Sequence, residues 1–232
     1  MSQRNSSGDP RPADRRDAQE FTAKFDRMYT RWARPYDLAV KLLPVWRRWL
    51  SAALPHIRGP RILEVSFGTG WLLTRYAGDF DTYGVDLNAR MVAIARRNLR
   101  RAGVTARLRQ ADVEALPFPD GRFDTVVNTM SFSGYPNAAR AMTEMHRVLR
   151  HRGRLVLIDV GYPDDGNRVG RALAGLWQRA GDVIRDMPAL FDSFGFDVHH
   201  EQIGGFGSVH LYVATKQLYS GRRTLSQDGS NA

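Results

Sequence analysis

A chain of 232 residues, 43% hydrophobic and 25% charged, suits one α/β domain with a substantial core, and no apolar run reaches the roughly 18–20 residues of a membrane span. Cysteine is absent, which excludes disulfides, Cys-ligated zinc or iron–sulfur clusters and thiolate nucleophiles. The formal charge of +10 rests on 34 basic residues, of which only Lys24, Lys41 and Lys216 are lysines. Two readings of it stay open: arginine-biased solvated helix faces, or a surface for an anionic lipid or acidic substrate.

In chain order, residues 1–18 are polar, aperiodic and without an apolar signal region, so they read as a disordered tail on a cytoplasmic protein. Residues 24–60 carry eight basic and two acidic side chains, with Tyr29, Trp32, Tyr36, Trp46 and Trp49 interleaved. Pro44 is placed to open a fresh helix. The tryptophans and arginines after it fit either an amphipathic lid or a helix at a lipid headgroup boundary.

Buried-strand patterns follow at 61–65, 82–86, 107–112, 123–129 and 154–160, with helical periodicity at 88–103 and 136–153. In the first helix Met91, Ile94, Ala95 and Leu99 share one face, Asn88 is a candidate N-cap and Gly103 a candidate stop. Two more strand-like runs, 196–204 and 207–216, are joined by a glycine-rich turn too short for a parallel crossover. The fold class is therefore α/β: a doubly wound, mostly parallel sheet ending in an antiparallel hairpin. The expected organisation is a tail (1–18), an N-terminal helical lid (19–58), a ligand-binding domain (59–216) and a flexible C-terminal tail (217–232).

The most informative stretch is ILEVSFGTGWLL, residues 62–73. A strand ends beyond an acidic residue and breaks into a loop with Gly68 and Gly70. A phosphate-cradling loop would need a lysine after its last glycine, and none lies between residues 42 and 215. A dinucleotide loop would need a third glycine where Leu73 stands. Position 66 is serine; serine tolerates positive φ poorly, so the loop is expected to take a backbone that an L-residue allows.

With Glu64, Ser66, Gly68 and Gly70 after the first strand, Asp86 ending the second in YGVDLNARM, Asp112 in ADVEALPFPDGRFD, and the later segments FDTVVNTMSF and EMHRVLRHRGRLVLID, the chain resembles the class I, Rossmann-like methyltransferases. Within that family it is most similar to the ubiquinone/menaquinone-biosynthesis type. The resemblance spans about residues 24–216 and departs from the family's first motif at Ser66. It implies S-adenosyl-L-methionine as cofactor and S-adenosyl-L-homocysteine as product. It assigns Glu64, Ser66, Gly68, Thr69, Gly70, Asp86, Leu87, Asp112, Val113 and Asn128 to cofactor binding, with Glu64 at the methionine ammonium, Asp86 at the ribose hydroxyls and Asp112 beside the adenine. It also implies a lid carrying Tyr36 in a Tyr-Asp pair.

Methyl transfer needs mainly an in-line nucleophile held at short distance, and a base only if the acceptor must lose a proton. Tyr36, as a positioning group, and His210, as a base, are the candidate catalytic residues. No metal is expected. Asn128-Thr129-Met130-Ser131 replaces the motif of enzymes that methylate exocyclic amines of bases, so nucleic acid is not the expected substrate. The expected acceptor is a hydrophobic or amphipathic small molecule (a quinone precursor, a lipid headgroup or a secondary metabolite), with peripheral contact to an anionic membrane. The rival readings are a cofactor-binding protein with lost transfer, and an RNA-directed methyltransferase suggested by seven arginines and no acid in residues 90–109.

Overall fold

The structure, a computed structural model, describes residues 44–217. Tyr29, Trp32, Tyr36 and both expected tails, apart from Gln217, lie outside the described residues.

The elements run α1 (Pro44–Ser51), β1 (Arg61–Val65), α2 (Leu73–Tyr76), β2 (Asp81–Asp86), α3 (Ala89–Ala102), β3 (Arg107–Gln110), β4 (Phe123–Thr129), α4 (Ala138–Val148), β5 (Leu149–Val160), α5 (Arg168–Ala180), α6 (Met187–Ser193), β6 (Phe196–Gly204) and β7 (Val209–Lys216). They build one seven-stranded sheet in the order β3-β2-β1-β4-β5-β7-β6. All pairings are parallel except those of β7, which runs antiparallel to both β5 and β6. The strand order reverses between β1 and β4, and ligands bind such sheets in the crevice at the carboxyl ends of those strands.

Strand periodicity sorts the core into two layers. Leu63, Val65, Val126, Leu155 and Leu157 face α4 and α6 through Met142, Met145 and Phe191. Ile62, Val127, Val156 and Ile158 face the other way, against Leu50 of α1, Leu73 of α2 and Ala95 and Leu99 of α3. Helix α3 has the expected ends: Asn88 Oδ1 accepts from the Arg90 and Met91 N–H groups, and Gly103 closes it in the left-handed conformation.

Three boundaries differ from the sequence reading. Helix α4 stops at Val148 instead of continuing to residue 153, because the chain turns directly into β5; Arg152 takes φ 59 and the β4–β5 register jumps between Phe123 and Thr125. Lys216 Nζ donates to the carbonyls of His146 and Leu149 and so closes that helix end from β7. Strand β3 ends at Gln110, since Asp112 leaves the sheet to cap a short 3-10 turn. The hairpin strand starts at Val209, after the turn Gly205–Gly207. Helices α5 and α6, capped by Asn167 and Asp186, occupy a stretch that carried no expectation.

Helix α1 supplies the described part of the expected lid. Its Leu50 is buried, Trp49 packs against Gly204, where an added Cβ would stand 2.0 Å from the indole nitrogen, and Trp46 lies 5.9 Å from Trp49 and 6.1 Å from Trp177. Both tryptophans are half-buried and make contacts within the protein.

Candidate functional site

The β1–β4 crevice holds a cleft lined by Leu50, Glu64, Ser66, Phe67, Gly68, Thr69, Trp71, Leu72 and Thr129. Most of this lining comes from the loop predicted to bind the ligand, and among the described residues no lysine or arginine is part of it.

Glu64, on the inner half of β1, is 1% exposed and takes a 2.7 Å hydrogen bond from the Tyr76 hydroxyl on α2. Burial pushes its carboxyl up to about 8; the Tyr76 bond opposes that shift and the nearby charge of Asp86 adds to it. A buried carboxylate with a single neutral partner is poised for a cation: an ammonium would restore by charge pairing what burial removed.

Asp86 ends β2 and is also nearly buried. Its Oδ2 accepts from Gly68 N–H at 2.8 Å and its Oδ1 from Asn88 N–H at 2.9 Å, so both oxygens are fixed in direction by backbone. Each oxygen of a carboxylate can accept a second hydrogen bond, as two vicinal ribose hydroxyls require. The Gly68 bond ties the loop after β1 to the end of β2.

The loop itself corrects one expectation. Ser66 stands at φ 52, inside the small left-handed region, and does not avoid it. Its N–H donates to the Val85 carbonyl at 2.8 Å and its Oγ lies 2.7 Å from the Tyr135 hydroxyl, bonds that hold a conformation costing an L-residue roughly 1–2 kcal/mol. Phe67 turns into the core: a Cβ on Gly84 would meet its ring at 2.7 Å, so the bare position on β2 is what admits the aromatic. Gly70, at φ 71, has a reason besides ligand approach, because a Cβ there would lie 2.8 Å from the Ala95 Cβ of α3.

Of the other expected cofactor residues, Thr69 lines the cleft, while Leu87, Asp112, Val113 and Asn128 are not among its lining residues. Thr69 is buried, and its carbonyl accepts from Asn98 at 2.9 Å. Leu87 is exposed beside Asp86, and its carbonyl accepts from Gln110. Asp112 is exposed, with one oxygen capping Glu114 N–H at 2.9 Å, and Val113 next to it is buried. Asn128, at the end of β4, is fully buried; its Nδ2 donates to the Tyr135 hydroxyl at 2.6 Å and to Ser131 Oγ at 3.1 Å, while its Oδ1 has no partner.

His210 is not among the residues lining the cleft. It is buried, its Nδ1 lies 2.8 Å from His200 Nε2, and the two rings stack 5.0 Å apart with Tyr212 parallel beside them. Burial lowers its pKa. Asp159, at the end of β5, accepts from the N–H and hydroxyl of Ser133 at 2.8 Å each and from Val160 N–H, so it anchors the turn after β4. Among the described residues no cluster of three metal-ligating side chains occurs.

Sequence reasoning missed Tyr76 and Tyr135, the partners of Glu64 and Ser66. Tyr135 stands 69 residues from Ser66, and no local spacing signals that contact.

Comparison with known proteins matches residues 63–157 to a methyltransferase domain family. The chain is 31% identical over 216 residues to a demethylmenaquinone methyltransferase of Thermus thermophilus, covering 79% of this chain and 98% of that one. It is 37% identical over 142 residues to a phosphatidylethanolamine N-methyltransferase of Cereibacter sphaeroides, covering 60% of this chain and 70% of that protein. Among solved structures, an S-adenosylmethionine-dependent methyltransferase of Thermotoga maritima, described as a possible histamine N-methyltransferase, superposes with a TM-score of 0.67 at 20% identity, covering 82% of this chain and 99% of that one; at that identity the likeness speaks for the fold.

Proposed function

Because this chain belongs to the class I methyltransferases of the ubiquinone/menaquinone-biosynthesis type and uses S-adenosylmethionine, we propose that the β1–β4 cleft is its cofactor site and that its acceptor is a lipid-soluble molecule, either a quinone precursor or an amine-bearing lipid headgroup. The observation that carries the cofactor placement is the pair of carboxyl groups at the loop after β1. Glu64 lines the cleft, and Asp86, which accepts from the N–H of the lining residue Gly68, stands beside it. Such a pair suits a ligand with a positive ammonium and free ribose hydroxyls.

The cofactor supplies a methyl group on sulfur that is electrophilic without further activation. In this reading Glu64 holds the ammonium, Asp86 the ribose hydroxyls, and Leu87, Asp112 and Val113 the adenine. The chain's further task is to hold an acceptor in line and keep water out, for which apolar cleft residues such as Leu50, Trp71 and Leu72 are suited. A lipid-soluble acceptor would bring the enzyme to a membrane surface peripherally; no helix among the described residues is long and apolar enough to cross one.

The test uses methyl-labelled S-adenosylmethionine with vesicles containing phosphatidylethanolamine and, separately, with a demethylated menaquinone in detergent. Label in the organic phase with one of them is the expected result. Neither acceptor taking the label while the cofactor binds would overturn the acceptor class.

A further inference from the structure

Ser66 is where the chain departs from its family's glycine, and the structure gives that departure a partner. Asn128 lies opposite Val65 in the β1–β4 register, so its side chain, the Tyr135 hydroxyl and Ser66 Oγ form a connected row at the top of the two central strands, with steps of 2.6 and 2.7 Å. The row has a direction. The Asn128 amide can only donate through Nδ2, so the Tyr135 oxygen accepts there; its own proton then goes to Ser66 Oγ in preference to Ser131 Oγ, which is 3.4 Å away. Ser66 Oγ, having accepted, keeps its own proton for a partner in the cleft that it lines.

The tyrosine is well held for this task. Burial raises the Tyr135 pKa well above its ordinary value, so it stays protonated. Its turn is pinned by Asp159 through Ser133 and by Arg185, whose guanidinium donates to the carbonyls of Phe132, Ser133 and Tyr135.

We propose that the Ser66 hydroxyl, oriented by Tyr135 and Asn128, is a hydrogen-bond donor to the carboxylate of the bound cofactor. The inference rests on the cofactor placement above. The ammonium and carboxylate of the cofactor share one carbon, so an anion must sit beside whatever Glu64 holds. Among the described residues, the donors that the cleft lining offers to that anion are hydroxyl and backbone groups. Of the lining hydroxyls Ser66, Thr69 and Thr129, Ser66 is the one hydrogen-bonded to another side chain among the described residues, and its direction is thereby set before a ligand arrives. The serine thus adds a donor that glycine lacks.

The test measures calorimetric affinities of wild type, Ser66→Gly, Tyr135→Phe and the double variant for two ligands: S-adenosylhomocysteine, and its decarboxylated analogue, which keeps the ammonium and loses the carboxylate. Ser66→Gly is safe for folding, because φ 52 suits glycine. Expected are a roughly tenfold loss of S-adenosylhomocysteine affinity in Ser66→Gly, a smaller loss in Tyr135→Phe, no further loss in the double variant, and changes within about twofold for the analogue. Equal losses for both ligands would reduce the row to a brace for the loop and overturn the proposal, as would no loss in Ser66→Gly. Wild type binding S-adenosylhomocysteine with Glu64→Gln unaffected would instead overturn the cofactor placement, and the proposal with it.

Discussion

Glu64 offers a quantitative test of the cofactor site. Its carboxyl is pushed up to about 8 by burial in the protein without ligand, so near neutral pH it is mostly protonated. If it holds the cofactor's ammonium it must ionise on binding, and affinity then carries a factor of 1 + 10^(pKa − pH). Between about pH 6 and about pH 7.5 that factor falls from about 100 to about 4, so the dissociation constant for S-adenosylhomocysteine should tighten by about 24-fold, or ~1.9 kcal/mol. Calorimetry in buffers of different ionisation enthalpy should show about 0.9 proton released per ligand near pH 7. The window stays below the ligand's own amine titration, which would reverse the trend at higher pH. Glu64→Gln should bind more weakly at about pH 7.5 and with no slope. A flat affinity in the wild type over this window would refute the ammonium assignment.

The same shift makes a stability statement whose sign is fixed. A carboxyl raised from 4.5 to about 8 favours the folded state fully below 4.5, and that contribution is lost as pH rises through about 8. The full span is about 5 kcal/mol, so the melting temperature of the ligand-free protein should fall across this range, and S-adenosylhomocysteine should restore part of it near pH 8. Asp159, raised by burial to about 6, acts in the same direction over a lower window, so Glu64→Gln should flatten the upper part of the decline and leave the lower part.

Two further substitutions test the loop. Asp86→Ala removes the acceptor of Gly68 N–H and, in the proposed placement, that of the ribose hydroxyls, and should weaken cofactor binding by about 1–3 kcal/mol by calorimetry; unchanged affinity would move the ribose elsewhere. Gly70→Ala forces a methyl to 2.8 Å from Ala95 at φ 71 and should cost about 1–3 kcal/mol in urea melts; a variant as stable as wild type would mean that α3 yields easily there.

What the sequence made legible follows the range of the interactions. Strands β1 and β4, the N-cap Asn88, the stop at Gly103 and the antiparallel β6–β7 pair all follow from periodicity or turn chemistry within a few residues, and all are where those rules put them. Helix α4 overran because its end is set from outside the segment, by the β4–β5 register and by Lys216 reaching back to its last carbonyls.

The same division runs through the site. Glu64, Asp86 and the glycines were visible because their spacing along β1 and β2 is itself the geometry of the loop, as the Gly68–Asp86 bond shows. The fit of Ser66 and Phe67 was not visible, since the residues that accommodate them are Tyr135 and Gly84, one on a turn after β4 and one in the middle of β2. Taken alone, a serine in place of the family's glycine reads as damage to the loop. With a buried tyrosine to fix its hydroxyl it becomes a held left-handed residue, and the rule against positive φ gives way to two hydrogen bonds. A departure from a motif can therefore be judged only together with the side chain that meets it. Here that side chain belongs to the turn that follows the neighbouring strand β4, which is why the loss of one glycine does not by itself argue for a protein that has stopped binding its cofactor.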